Sequence, residues 1–138
     1  MQNVYNYHNS KGFTLIEAIA VLIIIGLLAV MAIPKYIDLI DDARKMAAQL
    51  AVSEIKSRLS QAQAKYMMTN GGRAPNGGTL YTYAINSAQY GPDLANVGDD
   101  FRIFVNIGAN SQIQITVDKV QKEKIPDIVS YFKAAGDL

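Results

Sequence analysis

Hydrophobic and polar positions divide the chain into three regimes. From Phe13 to Ile33 nearly every residue is apolar, and the only charge in the run is Glu17. At about 1.5 Å per helical residue, this stretch spans roughly the ~30 Å hydrocarbon core of a bilayer. Past Pro34 the pattern becomes one-sided. Ile37, Ile40, Ala43, Ala47, Leu50, Ile55, Leu59, Ala62 and Tyr66 recur at spacings of mostly three and four, which predicts an amphipathic helix ending near Met68. Its other side carries Asp38, Asp41, Asp42, Lys45, Gln49 and Lys56, a solvated face on which Asp41 has the spacing to pair with Lys45.

A loop dense in glycine, from Thr69 to Gly78, separates this helix from a region of alternation. Tyr81, Tyr83 and Ile85 predict a short strand over 79–85. Phe101, Ile103, Val105 and Ile107 predict a stronger one, Gly108 to Ser111 a turn, and Ile113, Ile115 and Val117 the return strand. Gly91-Pro92 and Asn96-Val97-Gly98 bracket an expected helical turn beginning at Pro92. The segment from Pro126 to Gly136, with proline first, Asp127 in the first turn and glycine at the stop, predicts a short C-terminal helix. A two-stranded hairpin is not stable alone, so its apolar face must cover the stripe from Ile37 to Tyr66. The fold class read from these patterns is α+β: a long N-terminal helix packed against a small antiparallel sheet.

Moving the apolar side chains of residues 13–33 into water costs roughly 20–40 kcal/mol, at about 1.5–3 kcal/mol for each large one. A free aqueous subunit is therefore excluded, and the segment needs lipid or a bundle of similar helices. Glu17 is the anomaly, because a carboxylate near the centre of a membrane costs up to about 3 kcal/mol and asks for a partner. Complementing the helix dipole in the first turn returns less than about 1 kcal/mol.

Composition narrows the chemistry. In 138 residues with one membrane-length segment there is room for one small head, and a net charge of +1 offers no basic surface for nucleic acid. There is no cysteine, so disulfides, thiolate metal sites and cysteine nucleophiles are absent. His8 is the single histidine and precedes the apolar run, and no paired carboxylates or nucleophile motif mark the head. An enzyme is the least favoured class.

Lys11-Gly12-Phe13-Thr14-Leu15-Ile16-Glu17, followed by Gly26 and by Ala32-Ile33-Pro34-Lys35-Tyr36, resembles the N-terminal region of type IV prepilins and of the pseudopilins of type II secretion. The resemblance covers residues 11 to about 45. It implies a leader over 1–12, a transmembrane and filament-core half of the helix over 13–34, an amphipathic half over 35–68 and a head over 69–138. It further implies cleavage between Gly12 and Phe13 by a prepilin peptidase, N-methylation of Phe13, and docking into a helical homo-oligomeric filament guided by Glu17. The implied partners are the peptidase and methyltransferase, an assembly platform with its motor, and the inner membrane before assembly, with the pilus extracellular or the pseudopilus periplasmic. Gly26 and Pro34 read on their own as the cause of a curved helix, and the resemblance implies that the region between them bends or loses helical order when subunits pack.

Many type IV pilins close the C-terminal region with a disulfide, which this chain cannot form. Some major pseudopilins hold calcium in the head. Asp93, Asp99, Asp100 and Asp118 are the candidates here by residue type alone, and without an EF-hand spacing no metal or cofactor is expected. Lys119, Lys122, Glu123 and Lys124 read as a mixed-sign solvated surface. The alternatives within the architecture are a secretion pseudopilin or a minor, initiating pilin. From another class, the alternative is a monomeric membrane-tethered binding module.

Overall fold

The computed structural model describes residues 12–87 and 94–137. His8, Lys11, the expected turn at Gly91-Pro92 and Asp93 lie outside the described residues. The chain divides into two units, one ending at Leu39 and the other beginning at Ile40.

In the first unit, helix α1 (Leu15–Thr69) begins with a cap supplied by Thr14. The Thr14 carbonyl accepts the first helical bond from Ala18 N–H at 3.1 Å, and its hydroxyl accepts the Glu17 N–H at 3.3 Å. Thr-x-x-Glu is the capping-box spacing, and the Thr14 hydroxyl also faces the Glu17 carboxylate at a long 3.5 Å. The helix runs through Gly26 and Pro34 without interruption. Pro34 has no N–H, so the Val30 carbonyl one turn back loses its helical donor. The apolar side chains of this unit are uncovered, from Phe13 at 80% exposure to Met31 at 77%. This part of α1 is long and apolar enough to cross a membrane.

The second unit is the head. Its core joins α1 to a three-stranded antiparallel sheet, β1 (Phe101–Ile107), β2 (Ile113–Val120) and β3 (Glu123–Phe132), in the order β1-β2-β3. Ala48, Val52, Ile55, Leu59 and Ala62 of α1 are buried together with Val105, Ile113, Ile115, Val117, Val120 and Ile125. The expected hairpin is present, and its apolar face lies in the same core as the helix. The helical stripe differs in its first half: Leu50 is 72% exposed, and Ala48 and Val52 are buried instead. Val52 precedes Ile55 by three residues and Ala48 precedes Val52 by four, which keeps them on one side, whereas the five-residue step to Leu50 rotates about 140° around the helix.

Surface charges on α1 pair at a spacing of three near its middle: Asp41 with Arg44 and Asp42 with Lys45, both at 3.4 Å, in place of the expected Asp41 with Lys45. α1 ends at Thr69, one residue beyond expectation. Gly71 and Gly72 there adopt φ of 64° and 82°, and the Gly72 N–H returns to the Met67 carbonyl at 2.8 Å in a Schellman-type stop.

Two expected elements are corrected. Residues 79–85 belong to helix α2 (Gly77–Ile85) rather than to a strand. Asn76 caps it by accepting the Thr79 N–H at 2.8 Å, and Gly77, Leu80 and Ala84 form its buried side at helical spacing. The alternating Tyr81, Tyr83 and Ile85 are only half-buried. The Tyr81 hydroxyl donates to the Val105 carbonyl at 3.2 Å, so α2 occupies a backbone acceptor on β1, an edge strand.

The expected helix from Pro126 is strand β3, paired with β2 from Val120↔Glu123 to Ile113↔Phe132. β-branched and aromatic residues from Ile128 to Phe132 suit a strand. Pro126 is tolerated because β3 is an edge and the ladder is irregular between Val117 and Lys119, opposite it. Gln121 and Lys122, with φ of 52° and 67°, make the two-residue turn that reverses the chain into β3.

Candidate functional site

Gly12, Phe13, Thr14 and Glu17 surround an open cleft of about 510 Å³ at the start of α1. Glu17 is one turn in from the end, where exposed backbone N–H groups carry partial positive charge and favour a carboxylate. A Cβ at Gly12 would meet nothing within 4 Å, and the same holds at Gly26. The folding of this chain therefore places no steric demand for glycine at either position. Thr14 is the residue at this site that pattern reading passed over, although the Thr-x-x-Glu spacing was its signal.

The head brings together a second set of polar groups with structural roles. Arg102 on β1 and Asp118 on β2 form a two-pronged ion pair, Arg102 Nε donating to Asp118 Oδ1 at 2.7 Å and Nη2 to Oδ2. The hydrogen bond from the guanidinium, followed by its charge, holds the Asp118 carboxyl below its ordinary value and raises Arg102 in turn. Both carboxylate oxygens of Asp118 are thus committed to an arginine rather than open to calcium. Asp99 and Asp100 are exposed, and among the described residues no three His, Cys, Asp or Glu side chains converge to hold a metal.

Arg58 of α1 reaches the Asn96 carbonyl at 2.8 Å and the Leu94 carbonyl at 3.4 Å while pairing with Glu54 at 3.0 Å. It ties the loop before β1 to the helix. The C-terminal segment is held by Gln63, which accepts the Ala135 N–H at 2.9 Å, and by the Pro75 carbonyl, which accepts the Gly136 N–H at 2.9 Å.

Comparison with known proteins bears on the first of these groups. Residues 7–33 match the family model described as the prokaryotic N-terminal methylation motif. The chain is 37% identical over 62 residues, 44% of its length, to the type IV narrow pilus major component PilA5 of Thermus thermophilus. The chain resembles the type IV pilins. It spans 53%, about half, of the length of that curated relative. No solved structure matches the pilin-like chain to a significant degree. Its long apolar N-terminal helix and small three-stranded antiparallel sheet agree with the α+β architecture of type IV pilins.

Proposed function

We propose that this chain is the structural subunit of a type IV pilus-like filament. It is made as a single-pass inner-membrane precursor with the leader 1–12 in the cytoplasm. A prepilin peptidase cleaves it between Gly12 and Phe13, the new amine of Phe13 is methylated, and an assembly platform and motor polymerise it through the first half of α1. The observation that carries this reading is the uncovered apolar surface of residues 13–33, which nothing within its own unit buries. That surface can pass from lipid into a bundle of identical helices without crossing water.

Glu17 gives the transfer its specificity. The amine exposed by cleavage is a cation near neutral pH, and the carboxylate one turn away reaches its own Phe13 or that of a neighbouring copy. Before cleavage no such cation exists, so processing and docking are coupled. Gly26 and Pro34 are the positions at which the helix gives way when copies pack, and a filament map with unbroken helical density from 26 to 34 would remove that part of the reading. The Thermus relative is a major pilus component, which favours a filament-building subunit over a secretion pseudopilin or an initiating pilin.

The test is Glu17→Ala beside Glu17→Val in the producing cell. Membrane insertion and cleavage should persist while surface filaments disappear. Filaments at the parental level from either variant would sink the assignment of Glu17.

A further inference from the structure

Two identical tripeptides, Asn70-Gly71-Gly72 and Asn76-Gly77-Gly78, stand at the two ends of the short link between α1 and α2. An asparagine followed by glycine can lose its side-chain amide to its own backbone, because glycine has no Cβ to hinder its nitrogen from approaching the asparagine side chain. The local chemistry is the same at both sites, but the fold treats them differently. At the first the nitrogen is free. The Gly71 N–H donates to nothing among the described residues, Asn70, Gly71 and Gly72 are exposed, and a Cβ on Gly71 would meet nothing within 4 Å. The Asn70 side-chain amide donates to the Tyr66 carbonyl at 2.8 Å and the Thr69 hydroxyl at 3.2 Å, at an exposed helix end where water replaces such bonds at little cost. At the second site the nitrogen is held. The Gly77 N–H donates to both carboxylate oxygens of Asp137 at 3.1 Å, and the buried Gly77 backbone leaves no room for a Cβ beside the Ser111 carbonyl. The Asn76 side-chain oxygen accepts the Thr79 N–H at 2.8 Å as the cap of α2, so attack there must break a charge-assisted bond and a cap together.

We propose that Asn70 is a site of spontaneous self-modification in the folded chain, and that the fold protects Asn76 from the same reaction. The Gly71 nitrogen loses its proton to hydroxide and bonds to Cγ of Asn70. The bond from Cγ to the side-chain nitrogen breaks, and that nitrogen takes a proton from water and leaves as ammonia, closing a cyclic imide. Water then opens the ring at either carbonyl, its hydroxyl staying on the carbon and its hydrogen returning to the nitrogen. The products are aspartate and isoaspartate, whose backbone runs through the side-chain carboxyl. Overall, water is consumed and ammonia released, with nothing oxidised or reduced. Either product removes a donor from the end of α1 and sets a negative charge beside its last carbonyls, where the helix already carries partial negative charge. The turn so loosened carries Tyr66, packed edge-on against Tyr83 of α2 with ring centres 5.2 Å apart. Conversion needs no enzyme and accumulates with the age of the molecule.

The test incubates the full-length chain in detergent, in mildly alkaline buffer made with heavy-oxygen water, beside a urea-unfolded sample. Peptides containing Asn70 and Asn76 are followed by mass over time, and the heavy oxygen separates conversion during incubation from conversion during digestion. In the folded chain Asn70 should convert at least about tenfold faster than Asn76, the margin expected from the bonds that Asn76 and Gly77 must first break. In urea the two rates should come together, since the tripeptides are identical. The Asn70 product should contain both aspartate and isoaspartate. Equal rates in the folded chain, no conversion at Asn70, or aspartate alone, which is the product of direct hydrolysis, overturns the proposal. Asp137→Ala supplies a second readout. By freeing the Gly77 N–H it should raise conversion at Asn76 several-fold and leave Asn70 as it was, and an unchanged rate at Asn76 contradicts the protection.

Discussion

The carboxylate of Asp137 accepts the backbone N–H of Gly77 with both oxygens at 3.1 Å, joining the C-terminal end of the head to the first turn of α2. One of those oxygens also accepts the Ala134 N–H at 3.3 Å. A chain without cysteine thus closes its C-terminal region with a capping carboxylate and two further hydrogen bonds, to the Gln63 side-chain oxygen and the Pro75 carbonyl. Asp137→Ala should lower the stability of the head by about 1–2 kcal/mol, the cost of losing a helix cap, while Asp137→Asn retains part of it. Urea unfolding of the detergent-solubilised chain, followed by a head tyrosine signal, measures the difference.

The two glycines that open α2 should respond in opposite directions. A Cβ on Gly77 would overlap the Ser111 carbonyl oxygen and lie 2.9 Å from its carbon, and neither backbone can move without disturbing the β1–β2 turn. Gly77→Ala should cost about 3 kcal/mol or more. At Gly78 the nearest atom to a Cβ is the Asn76 side-chain oxygen at 3.6 Å, so Gly78→Ala should stabilise by about 0.5–1 kcal/mol through helix propensity. The same unfolding measurement distinguishes them.

Acid should weaken the join between β1 and β2. Because the folded-state pKa of Asp118 lies below its unfolded-state value, its pairing contribution is fully present above about pH 4 and is lost as pH falls through the folded-state pKa. Arg102, raised from an already high value, keeps its proton throughout that range. Asp118→Asn should therefore be less stable than the parent at neutral pH, with the gap narrowing below about pH 4 in unfolding curves. A gap independent of pH would show that the pair does not titrate this way.

Arg58 should govern the order of the loop before β1. Arg58→Ala leaves the Asn96 carbonyl without its 2.8 Å donor and frees the segment from α1. Amide exchange from Asn96 to Gly98 should accelerate about tenfold while the β2 amides, in the middle of the sheet, hold their protection. Arg58→Lys, which keeps charge but not the planar fork, should fall between the two.

What sequence patterns revealed depended on whether local and tertiary signals agreed. The apolar run, the amphipathic continuation and the β1–β2 hairpin carry their own periodicity, and all three are in the fold. Around Tyr81 and Tyr83 a strand-like alternation competed with a cap signal at Asn76, and the cap prevailed because Leu80 and Ala84 meet the core on one helical side. Around Pro126 a helix-start signal competed with β-branched residues, and β2 decided the matter by offering an edge to pair with. The turn that made this pairing possible uses Gln121 and Lys122 where glycine and asparagine are the usual markers, so nothing local announced it. At the N-terminal site, Gly12, Phe13 and Glu17 were legible as residues, while the cap from Thr14 to Glu17 needed the helix start to be fixed.

If cleavage after Gly12 converts a membrane precursor into a filament subunit, the processed N-terminus must be found in the fibre itself, and one mass spectrum can establish whether it is. The intact mass of the chain recovered from fibres sheared off the cell surface should correspond to a polypeptide beginning at Phe13 and carrying one methyl group. Recovery of the chain only from membranes, with residues 1–12 still attached and no methyl group, would contradict the account.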